Sequence, residues 1–147
     1  MFTLRNVLLA LHVLTAILLI GWLATQTMVV PGAIRGGPEN AGFVRTASGY
    51  AKKIGPASVV VFLLGIWLVA QSKAYAFKDR WVGIAMVLFV VTAVIGGKFI
   101  GDAEQRAAAK LESGQPALEE ARTIAMLGGI STLLLVVIVW LMVAKPT

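Results

Sequence analysis

His12 is the only histidine in the chain, and it stands inside a long uncharged, apolar run. A neutral imidazole can ligate a metal, pass a proton or bond a neighbouring group. At about 100° per residue, Thr15, Leu19 and Gln26 fall within about 60° of His12 on a helical wheel. His12, Thr15 and Gln26 therefore form a polar stripe on a helix that is otherwise apolar. Polar groups within a membrane helix turn toward the bundle interior, where they find partners, and this makes the stripe a candidate functional site. Three uses compete for it: a structural hydrogen bond, axial ligation of haem, and proton or ion handling.

Other residue types narrow the chemistry. With no cysteine, disulfides, thiolate metal sites and cysteine nucleophiles are excluded, and a single histidine in each copy excludes a multi-histidine metal site. No metal ligand set and no catalytic residue is assigned, which argues against an enzyme. Proton relays usually need acidic partners, and no charged residue is expected well inside any span. The net charge of +6 comes from thirteen Lys and Arg scattered between the apolar runs. They form no basic stripe among aromatics, so anionic lipid head groups, not nucleic acid, are the expected contact.

These side chains need membrane helices to position them. The chain is 59% hydrophobic and 14% charged, against about 45–50% and about 25% for soluble domains. Spans of about 6–31, 54–72, 80–101 and 121–144 each suit the roughly 17–25 residues of a crossing helix. The last holds twelve Leu, Ile, Val or Phe. At about −0.3 to −0.6 kcal/mol each they favour insertion by roughly 4–7 kcal/mol. The first run is too long for a signal peptide and is expected to be a retained helix ending near Pro31 and Gly32. Gly55 and Pro56 mark the expected start of the second span. The interleaved apolar and basic residues of 38–53 suggest a short helix lying in the interface. A charged helical extension is expected from Lys98, then a break at Gly114–Pro116 and a lead-in to the last span. The fold class is all-α: a polytopic four-transmembrane-helix bundle with short interfacial helices, in one domain.

Alternating topology places Trp67, Met86, Trp140 and Met142 at the depth of His12. Together they could hold a planar apolar cofactor, with His12 and Met86 as axial ligands of haem b. Tryptophans more commonly serve an interfacial belt, and methionines more commonly fill cores. Packing has its own pattern. Ala93, Gly97 and Gly101 repeat every four residues, as do Gly128 and Thr132, and small residues at this spacing let helices approach closely within one bundle or in a homodimer. The two loops joining spans one to two and three to four carry eight Lys and Arg, and the remaining segments carry five. That count favours both termini outside, whereas charge density in the shorter segments favours the reverse.

The stretch Leu11-His12-Val13-Leu14-Thr15-Ala16, then Gly21-Trp22, the turn at Pro31 and the Arg80-Trp81 entry to span three, resembles a family of small bacterial membrane proteins of unknown function. That family is similar to the copper-resistance CopD membrane domain and to the HemJ-type protoporphyrinogen oxidases. The resemblance implies a four-span unit of the bacterial cytoplasmic (inner) membrane whose first-helix histidine, here His12, binds haem b. HemJ-like proteins carry a lysine near the start of the third span, where this chain reads Gly83-Ile84-Ala85-Met86-Val87. Three functions are carried forward. The first is an accessory or scaffold subunit of a larger membrane complex, the second a b-type haem protein using His12, and the third a proton or metal transporter.

Overall fold

The computed structural model describes residues 3–146. Helix α1 spans Leu4–Gly36, α2 Ala41–Ala70, α3 Arg80–Val94, α4 Gly101–Glu112 and α5 Leu118–Ala144. A 3-10 turn at Pro38–Asn40 joins α1 to α2, and a π-helical turn at Ile95–Ile100 joins α3 to α4 without a break. Four helices are thereby long and apolar enough to cross a membrane: Leu4–Gly36, Pro38–Ala70, Arg80–Glu112 and Leu118–Ala144.

Two boundaries differ from the expectation. Helix α1 continues through Pro31 to Gly36, because Val30, Pro31 and Ile34 are fully packed into the bundle and that burial outweighs the break. It stops where Gly37 adopts φ 110°, a conformation glycine reaches without strain, and the Asn40 side chain caps Ala33 O at 2.8 Å. Residues 41–53 do not lie flat in the interface as a separate helix. They form the first turns of α2, continuous through Pro56, since Val44, Ala47, Ser48 and Ala51 bury one face mainly against α4. The break after α4 falls as expected, at a turn with Gly114 at φ 77°, and α5 opens with Glu119 and Glu120 in its first turn, where the helix dipole favours acids.

At about 1.5 Å per residue, helices of 33 residues reach roughly 50 Å, against about 30 Å of bilayer hydrocarbon. The surplus lies at one end. Trp22 meets Tyr50 edge-on with centroids 5.8 Å apart, and Lys53 Nζ sits 5.2 Å over the Tyr50 ring. Such aromatic and basic side chains anchor at the lipid boundary. From Tyr50 to the end of α2 at Ala70 is about 30 Å, one hydrocarbon thickness.

The bundle thus has a lipid-embedded part and a cap. In the embedded part Leu14, Leu18, Val87 and Leu133 project outward, as lipid-facing side chains do. The cap is closely packed through small residues: Ala47, Ala51, Ala103, Ala107, Ala108 and Ala121 are all buried around Val44, Leu111 and Ile124. Arg45 forks onto Glu112 at 2.8 and 2.9 Å, and Lys110 holds Glu120 at 2.6 Å, joining α2 and α5 to α4. Around the embedded part, α1 packs on α2 and α5, and α3 packs on α5, while α2 and α3 touch sparsely. The bundle is tight at the cap and looser along the α2–α3 seam.

Candidate functional site

His12 is half-buried on α1 and faces α2. Its Nδ1 lies 3.2 Å from Val61 O. A carbonyl only accepts, so Nδ1 carries the proton and donates, and the tautomer follows: Nε2 keeps its lone pair. No described residue is hydrogen-bonded to Nε2. Gly65 makes the approach possible. A Cβ at that position would stand 3.3 Å from His12 Cε1 and 3.8 Å from Nδ1, so only glycine lets the ring lie on α2 without a push. A backbone carbonyl bonded to one ring nitrogen orients metal-ligating histidines in general, and here the same arrangement sits inside a membrane bundle.

His12 borders a cavity of about 110 Å³ lined from all four crossing helices. Met86, Met142, Trp81 and Phe89 line it too, and His12 is its ionisable group. Phe89 stacks on Phe62 with centroids 5.7 Å apart. At the end away from the cap, Trp81 meets Tyr75 edge-on at 5.4 Å, and Lys145 Nζ lies 5.0 Å over the Tyr75 ring. Of the depth-matched residues, Met86 and Met142 reach the cavity. Trp67 and Trp140 are 47% and 59% exposed on the outer surface and do not line it.

The rest of the polar stripe does not converge on this cavity. Thr15 returns its hydroxyl to its own helix, donating to Leu11 O at 2.8 Å and His12 O at 3.0 Å, and it borders a separate groove between α1 and α2. Gln26 is only 2% exposed and lines a second cavity of about 30 Å³ with Ser58 and Thr92. Leu19, Phe89 and Leu135 border both cavities and form the partition between them.

Glu104 was not among the sequence candidates. It is fully buried on α4 with the Gln26 side chain as its polar neighbour, and neither carboxylate oxygen has a well-formed hydrogen bond among the described residues. Both polar atoms of the Gln26 amide and the Ser131 hydroxyl are likewise buried without partners. A signal was available. Ile100, Ala103, Ala107 and Leu111 repeat at helical spacing, and Glu104 interrupts that apolar face one turn after Ile100.

The small residues divide by position. Gly128 lets α5 ride on α1: an added Cβ would collide with the Thr27 side chain and stand 3.1 Å from its Cα. Thr132 donates to Gly128 O at 2.8 Å. A Cβ at Gly101 would touch the Ala51 methyl at 3.7 Å, an ordinary contact, so this position is close but not critical. Ala93 borders the Gln26 cavity, and Gly97 lies in the π turn with open space around it.

Four apolar crossing helices around a largely apolar interior define an integral membrane protein of the helical-bundle class. The family described as predicted integral membrane protein (DUF2269) matches residues 6–146, nearly the whole chain, and the chain belongs to that family. Neither the curated proteins nor the solved structures yield a match.

Proposed function

We propose that this small integral membrane protein binds b-type haem in the cavity bordered by His12. The observation that carries the reading is the Nδ1–H···Val61 O bond, which leaves Nε2 as an unprotonated ligand atom at the edge of an apolar cavity. Met86 and Met142 line the same cavity and are the thioethers that would help His12 hold the group there. Haem bound there would supply one-electron chemistry. The chain's own contribution is to orient the imidazole through Val61 and Gly65 and to keep the ligand among apolar side chains. The cavity's size sets a condition. Sites for drug-sized ligands occupy about 300–1,000 Å³, so this 110 Å³ space would take a macrocycle only if α2 and α3 parted, which would break the Phe62–Phe89 stack between them.

The test is titration of the detergent-purified protein with haemin, followed by tryptophan emission and the visible spectrum. Trp81 lines the cavity at 8% exposure, so saturable quenching with a stoichiometric Soret band is expected. Linear, unsaturable quenching would instead leave an accessory subunit that works by packing against a larger membrane complex. A spectrum with two histidine ligands would require a homodimer, because each chain has one. We further propose the bacterial cytoplasmic membrane as its location, with the cap inside. The cap end gathers both basic loops and eight of the thirteen Lys and Arg, and positive charge is retained on that side.

A further inference from the structure

The Glu104–Gln26 pair has no role in the haem site, and its geometry calls for an explanation of its own. An ionised carboxylate without a partner inside packed protein costs several kcal/mol, so it recruits a cation, a proton or a structural counter-charge. Counter-charge is absent among the described residues. The basic side chains of the surrounding elements, Arg35 on α1, Lys52 and Lys53 on α2, Lys98 on the π turn, Arg106 on α4 and Arg122 on α5, are all exposed. Arg45 and Lys110 are engaged with Glu112 and Glu120. The other acids nearby, Glu39 on the 3-10 turn, Asp102 on α4 and Glu119 on α5, are exposed as well. Gln26 from α1 is the polar side chain that lies beside the carboxylate.

A metal cation fits poorly. Hard cations take about six to eight oxygen ligands, and the space beside Gln26 is only about 30 Å³, lined chiefly by apolar side chains. A proton fits. A carboxylic acid is neutral, and its O–H can donate to the Gln26 amide oxygen while its carbonyl accepts from the amide N–H, which would satisfy atoms now left unpartnered on both residues. Gln26 also borders the cavity with Ser58 and Thr92. A cavity of about 30 Å³ exceeds the roughly 10–15 Å³ one water needs, and Gln26, Ser58 and Thr92 are the polar side chains such a water would meet in it. It reaches as far as the Leu19–Phe89–Leu135 partition, beyond which lies the His12 cavity.

We propose that Glu104 and Gln26 form a proton-binding site at the base of the cap, with Gln26 standing between the Glu104 carboxyl and the cavity it shares with Ser58 and Thr92. The site stands whether or not haem binds at His12. In the exchange step the Glu104 O–H bond breaks, the proton passes to a water admitted beside Gln26, and the electron pair remains on the carboxylate.

The experiment is infrared spectroscopy of the full-length protein in lipid, in H₂O and D₂O, across about pH 5 to pH 9. The wild type is expected to show a protonated-carboxyl C=O band that shifts on deuteration and disappears in E104Q. Glutamine matches the neutral acid in shape, so E104Q is expected to fold. In Q26L, which keeps Glu104 but removes its partner, the band is expected to move to higher frequency as its hydrogen bond is lost. A spectrum without such a band at any pH overturns the proposal, and a carboxylate band that responds to exchanging Na⁺ for K⁺ replaces it with a cation site. A band present in wild type but unchanged in both variants assigns the proton elsewhere and also overturns it.

Discussion

Gly65→Ala separates the role of the His12 ring from the stability of the bundle. The new Cβ would stand 3.3 Å from His12 Cε1, a few tenths of an ångström inside an ordinary carbon contact. The ring must retreat by about that much, and its bond to Val61 O, already 3.2 Å long, stretches toward the geometric limit. Losing such a bond removes about 0.5–1.5 kcal/mol of orientation, or roughly 2- to 12-fold in haem affinity. In the same change the helix gains: alanine is about 0.8–1.0 kcal/mol more favourable than glycine inside a helix. The two effects therefore differ in sign. Haem affinity is expected to fall severalfold while the thermal midpoint stays level or rises slightly. The assay is haemin titration followed by Trp quenching, alongside thermal unfolding in the same detergent. Unchanged affinity in Gly65→Ala would show that the ring does not bear on α2, and the proposed orienting contact would be withdrawn.

Gly128→Ala is expected to destabilise by about 1–3 kcal/mol, because the Cβ meets Thr27 backbone as well as side chain. Gly129→Ala, which meets nothing within 4 Å, should be neutral or mildly stabilising; equal midpoints for the two variants would refute the close α1–α5 approach. Lys110→Met strands the buried Glu120 carboxylate and should lower the thermal midpoint, with Glu120→Gln added to it restoring most of the loss. Failure of the second substitution to rescue would deny that pair its role. Because the chain lacks cysteine, single cysteines at Ser72 and Ser113 report orientation. In intact cells an impermeant maleimide is expected to label Ser72→Cys and spare Ser113→Cys, and the opposite pattern would place the cap outside.

Much of this architecture is written in local pattern. Apolar runs and charged joints locate four crossing helices, and the family match agrees with that reading over nearly the whole chain. The misplaced boundaries share one cause. Pro31, Gly55 and Pro56 carry strong local stop or start signals, but the faces around Val30, Ile34, Val44 and Ala51 bury so fully in the cap that the helices run through them. Local propensity of a few kcal/mol yields to tertiary burial.

At the site, the depth of His12 and the candidacy of Met86 and Met142 followed from counting turns. Which way each side chain rotates about its helix did not follow: Trp67 and Trp140 lie at the right height and face outward. The polar stripe of His12, Thr15 and Gln26 spreads over about four turns, so its members meet different neighbours at different heights. Glu104 escaped notice because it sits in a stretch rich in charge, where a carboxylate ordinarily faces water. Its burial depends on α2 and α5 closing over α4.

The most direct measurement is the reduced-minus-oxidised visible spectrum of protein purified after expression with ample haem, for wild type and His12→Ala. A Soret difference band in wild type, lost in His12→Ala and partly restored by added imidazole, is the expected result. A wild-type spectrum with no such band, or a band of equal size in His12→Ala, would contradict haem ligation by His12.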